Sequence, residues 1–112
     1  MLTLEALKEY GADTEDGLKR CMDNRDFYIR LIGKALENKC FTELEDYIAA
    51  GDLDGAFETA HSLKGVVGNL ALTPIYNPVC EMTELLRART EADYTPLLNE
   101  ISAKREELLS LM

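Results

Sequence analysis

The residues able to do chemistry are few. Among 112 residues the chain holds one histidine, His61, and three cysteines, Cys21, Cys40 and Cys80. A zinc site draws on clustered His and Cys ligands at close spacing. One His and three widely spaced Cys assemble no such set, and the thiols read as free cysteines of a reducing cytosol. Ser62 adjoins His61, but consecutive helical residues diverge by about 100° and cannot align for acyl transfer. What remains is the imidazole itself. A neutral ring nitrogen is a good nucleophile near pH 7, and Lys64, one turn on, would offset the charge of an attached phosphoryl group. Phosphoryl acceptance at His61, with Lys64 stabilising the charge, is the chemistry these residue types support best.

Positioning falls to the stretch "AHSLKGVVGNLAL", Ala60–Leu72, in which Gly65 and Gly68 follow His61 by four and seven residues. Gly51 ends one helix and Asp52 caps the next, so a helix from Leu53 carries His61 about two turns in. Around its axis Phe57, Ala60, Leu63, Val67 and Leu70 form the core stripe. His61, Lys64, Gly65 and Gly68 gather roughly 130° away and point outward. A single His on a helix most often has no special role, and Gly65 could simply end this one. Val67 and Leu70, however, continue the core period past Gly65. Each interior glycine also costs about 1 kcal/mol relative to Ala, against a total stability of about 5–15 kcal/mol. Two such costs beside the only His fit a landing surface, where missing side chains let a partner approach the imidazole.

The remaining apolar residues also recur at helical spacing. Phe27, Tyr28, Leu31, Ile32, Ala35 and Leu36 line a helix from Arg25 with Asn24 as N-cap. Val79, Met82, Leu85 and Leu86 line another, opened by Asn77-Pro78 with a short turn from Pro74 before it. Leu97, Ile101, Leu108 and Met112 line the last, with Thr95 as cap and Pro96 at the first helical position. Two short helices with breaks at Gly11 and Asp23 precede them. The expected architecture is all-α: one domain over residues 1–112, an antiparallel four-helix bundle with additional short N-terminal helices.

A net charge of −9 argues against nucleic acid as a partner. No apolar stretch reaches the roughly 18 residues of a membrane span. The opening "MLTLEALKEYG" carries acidic residues and no signal-peptide core, so the expected location is the cytoplasm.

The quoted stretch resembles the signature of histidine-containing phosphotransfer (HPt) domains, carriers in two-component phosphorelays. His61, Leu63, Lys64, Gly65 and Gly68 all fit that pattern. "GADTEDGLKR" is similar to the family's N-terminal segment, and "AAGDLDGAFETAHSLKG" to the usual entry of the active helix. The resemblance implies a phosphoacceptor at His61, Lys64 near the phosphoryl group, and Gly65 and Gly68 as docking ground for receiver domains. It implies response-regulator receivers or a hybrid histidine kinase as partners, a monomer, no cofactor bound by this chain, and Mg²⁺ supplied by the partner receiver. A polar residue of the neighbouring helix, Thr83 or Glu84, would hydrogen-bond the imidazole. Val66 and Ala71 depart from the pattern, standing where a small residue and Gly are frequent. With no glycine-rich nucleotide loop, the chain should carry phosphoryl groups without kinase activity of its own. The alternative is a helical adaptor that docks receivers without being phosphorylated.

Overall fold

Four helix starts in this chain are marked by side chains that accept from otherwise orphaned backbone N–H groups. The computed structural model describes residues 1–112, in seven helices: α1 Leu4–Tyr10, α2 Thr14–Arg20, α3 Arg25–Leu36, α4 Cys40–Ala49, α5 Leu53–Asn69, α6 Thr73–Arg87 and α7 Thr95–Leu109. Thr3, Asp13, Asn24 and Asp52 cap α1, α2, α3 and α5, each accepting from a backbone N–H three residues on. The Asn24 and Asp52 caps are those expected from sequence. So are the breaks after Tyr10 and before Asn24, where Gly11, Met22 and Asp23 take positive φ. Gly51, at φ +71°, ends α4 as expected.

Three features differ from expectation. α7 ends at Leu109, so Met112, expected on its apolar stripe, lies beyond the helix and is exposed. α7 begins at Thr95, not after it, because Asp93 Oδ1 accepts the Thr95 N–H at 3.0 Å and Tyr94 is the cap residue. α6 is one continuous helix from Thr73, with Pro74 in its first turn and Pro78 inside it. Pro78 forfeits one backbone bond. Ile75, Val79, Met82 and Leu86 are nevertheless all buried on one stripe, and that packing holds the helix through the proline.

Helices α4, α5, α6 and α7 pack in succession, joined by short connections that make neighbours antiparallel. Ser102 Oγ of α7 donates to Glu45 Oε1 of α4, linking first to last. Helix α3 packs on this bundle with Tyr28, Ile32, Ala35 and Leu36 buried, and Arg105 of α7 donates twice to the Leu36 carbonyl. Helices α1 and α2 close one end: Tyr10 donates to the Lys104 carbonyl at 2.8 Å, and the Asp13 N–H to the Ala71 carbonyl at 3.0 Å. One contiguous apolar core draws buried side chains from six of the seven helices, and Leu18 of α2 packs against it from the edge. No helix is long and apolar enough to cross a membrane.

Candidate functional site

Helix α5 buries Ala56, Ala60, Leu63 and Val67, a stripe at spacings of four, three and four. That stripe fixes the helix's rotation and turns the opposite face outward. The helix runs through both glycines to Asn69, so His61 stands mid-helix and exposed. His61, Lys64, Gly65 and Gly68 line one open cleft of about 470 Å³. The sequence-derived constellation is therefore brought together in space.

The two glycines differ in what surrounds them. A Cβ on Gly65 would meet nothing within 4 Å, so the ground beside His61 is clear. At Gly68 the same atom would lie 2.8 Å from the Tyr76 ring of α6. The room left by that glycine is used by the chain's own tyrosine, which forms part of the cleft wall. Lys64 is half-buried and forms no ion pair.

The far wall comes from α2. Asp16 pairs with Arg20 at 3.1 Å, and Arg20 Nη1 donates to Asn69 Oδ1 at 3.3 Å, joining α2 to the end of α5. Asp13 is occupied in capping α2. Nowhere are three or more His, Cys, Asp or Glu side chains gathered around a point that could hold a metal ion.

Neither side chain expected to hold the imidazole does so. Thr83 is buried, and its hydroxyl donates to the Val79 carbonyl at 2.7 Å. Glu84 faces Arg87 at 3.4 Å. Both are one helical turn from their partners on α6 itself, so the helix satisfies them locally. The His61 ring instead stacks on Phe57, with centroids 5.8 Å apart and planes at 24°. Phe57 is the correction to the core stripe: it is half-buried at the rim, packed against the core from outside. Over its ring lie the guanidinium carbons of Arg87, at 5.1 Å, and Arg89, at 4.9 Å. Arg89 in turn donates to Asp54 Oδ1 and to the Leu86 carbonyl, each at 2.6 Å. Sequence reasoning placed Phe57 in the core stripe, although at 100° per residue it falls within about 40° of His61 and well off the buried Leu63 and Val67. The i, i+4 relation to His61 was the signal that could have flagged it.

Ala71 explains one departure from the HPt pattern. It occupies the position just past the α5 cap at φ +55°, with its N–H donating to the Gly68 carbonyl and that of Leu72 to the Val67 carbonyl. This is the Schellman arrangement, which usually takes glycine. The chain holds an alanine there at a cost of about 1 kcal/mol.

The chain is thus an all-α bundle that exposes one histidine mid-helix with open space at Gly65 beside it. The family model described as Hpt domain matches residues 29–111, most of the chain, and the protein belongs to that family. Hpt domains serve phosphotransfer in two-component signalling and interact there with receiver domains and histidine kinases. Helices α1 and α2, with the cleft wall of Asp13, Asp16 and Arg20, lie outside the matched residues. No curated protein and no solved structure matches the chain.

Proposed function

We propose that His61 takes a phosphoryl group from an aspartyl phosphate of one receiver domain and delivers it to an aspartate of another. The observation that carries this reading is the exposed His61 ring on an unbroken helix, with open space at Gly65 beside it. In the forward step a ring nitrogen attacks phosphorus in line with the departing oxygen. An N–P bond forms, the acyl-phosphate O–P bond breaks, and the donor carboxylate leaves. The reverse chemistry loads the next receiver. Catalysis is mainly positioning and charge neutralisation. Lys64, free of ion pairs on the same cleft, supplies a positive charge one turn from the nitrogen. Gly65 supplies clearance for the docking receiver, and Gly68 acts through the Tyr76 wall it admits.

The carboxylates Asp13 and Asp16 are committed to a cap and an ion pair, too few and too engaged for Mg²⁺. The divalent cation of the transfer therefore belongs to the receiver in this proposal. The carrier acts in the cytoplasm as a monomer and does not phosphorylate itself from ATP.

Incubation with a ³²P-labelled phospho-receiver tests this. Label should appear on the chain, survive alkali and be lost in acid, and His61→Gln should abolish it while retaining the helical spectrum. Equal labelling of His61→Gln removes the role of His61. Receiver binding with no label on the wild-type chain favours the adaptor reading instead.

A further inference from the structure

His61 is exposed, and no protein group hydrogen-bonds either ring nitrogen. An exposed imidazole without a partner samples several rotamers, and an acceptor that must meet phosphorus in line loses rate with each unproductive one. Phe57, one turn earlier on α5, presents its ring nearly parallel to the imidazole at 5.8 Å, an offset-stacked contact of the kind aromatic pairs prefer.

The platform is itself held. Below, Phe57 packs against the core; over the ring lie two guanidiniums at 5.1 and 4.9 Å, within cation–π range. Arg89 is held by Asp54 and by the Leu86 carbonyl, at a backbone φ of +53° just past the end of α6. Two arginines converge on one phenyl ring in a chain with 12 basic and 21 acidic residues. Simple solubility requires no such convergence.

We infer that Phe57, clamped by Arg87 and Arg89, is a positioning residue that sets the orientation of the His61 ring by stacking, in the place of a hydrogen bond from α6. Phe57 touches no phosphoryl group and acts only through the imidazole. The kinetic consequence rests on the phosphotransfer reading; the conformational claim does not.

Because His61 is the only histidine, its two imidazole carbon-bound protons are read directly in the proton NMR spectrum of the full chain. In the wild-type protein the Phe57 ring current should displace them. Phe57→Leu keeps apolar fill at the rim but removes the ring, and should return both resonances toward those of an unstacked histidine. Phe57→Tyr should restore the wild-type positions. In the transfer assay Phe57→Leu should lower the rate at saturating phospho-receiver by about two- to tenfold, the range a single aromatic contact supports. The half-saturating concentration should stay unchanged, and Phe57→Tyr should recover the rate. Coincident imidazole resonances in wild type and Phe57→Leu overturn the inference, as does an unchanged saturating rate in a wild-type chain that does transfer. A wild-type chain that never takes label sinks the phosphotransfer reading and leaves the NMR comparison to decide the stacking. Arg87→Gln, a surface change, guards against a folding failure of Phe57→Leu. It should move the imidazole resonances in the same direction, and unmoved resonances overturn the clamp.

Discussion

The Tyr28 hydroxyl donates to the Leu70 carbonyl across 2.7 Å inside the core, tying α3 to the end of the helix that presents His61. Gly17 of α2 makes room for it, since a Cβ there would lie 2.3 Å from the Tyr28 ring and hydroxyl. Through this one phenol, α2, α3 and the α5–α6 turn share a single anchor.

Tyr28→Phe should therefore destabilise the fold by about 1–3 kcal/mol, because it removes the donor to a buried carbonyl. Urea denaturation followed by circular dichroism measures this. A change within error would mean that the Leu70 carbonyl finds another partner at no cost.

The same phenol makes stability depend on alkaline pH. Burial, and after it the negative fields of Cys21, Asp13 and Asp16, push the Tyr28 hydroxyl from 10.0 to about 12. The unfolded chain thus ionises this group first. Stability is full below pH 10 and is lost as pH rises toward 12. Tyr10 adds to the effect, its pKa being raised by burial and by Glu107. The urea midpoint should fall over that window, and less steeply in Tyr28→Phe, where one of the two groups is gone.

Gly17 and Gly65 should respond oppositely to added bulk. Gly17→Ala pushes a methyl into a buried ring that has nowhere to go, costing about 1–3 kcal/mol. Gly65→Leu meets open space and gains helix propensity, by up to about 1 kcal/mol. It should hold or raise the thermal midpoint and yet slow transfer from a phospho-receiver. An unchanged transfer rate would remove the docking role given to Gly65.

Lys64→Gln tests the charge. Stability should change by less than about 0.5 kcal/mol, as expected of a surface side chain without a pairing partner. The rate of transfer to His61 should fall by about tenfold, less than the roughly 10²–10³ of losing a donor in a water-excluded site, because Lys64 stands on an open cleft. Loss of folding rather than of rate would assign Lys64 to structure.

Much of this arrangement was legible from residues alone. Helical spacing determined that α3, α5 and α6 exist and the centre of the stripe each buries, while Phe27, Leu31, Phe57 and Leu85, expected on those stripes, are only partly buried at their edges. Side-chain caps at Asn24 and Asp52 and the left-handed backbone open to Gly51 determined where three of the boundaries fall, since each is local and needs no tertiary partner. The period of 3.6 likewise determined that His61, Lys64, Gly65 and Gly68 share an outward face, because residues three and four apart on any helix are neighbours. The continuity of α6 through Pro78 was not legible. A proline's local cost can be read in a sequence, but the burial of Ile75, Val79 and Met82 that outweighs it depends on packing.

The surroundings of the imidazole were decided by tertiary structure alone. Thr83 and Glu84 stand at suitable sequence distance from His61, yet each is satisfied within α6. Phe57 lies one turn before His61 on the same side of α5, which the period could show; that guanidiniums from the end of α6 reach its ring there depends on the packing. The wall of Asp16 and Arg20 comes from a helix some forty residues before His61. Periodicity reports which face of a helix a residue occupies. What stands opposite that face is set by the rotation and depth of every helix packed around it, and those depend on the whole core at once.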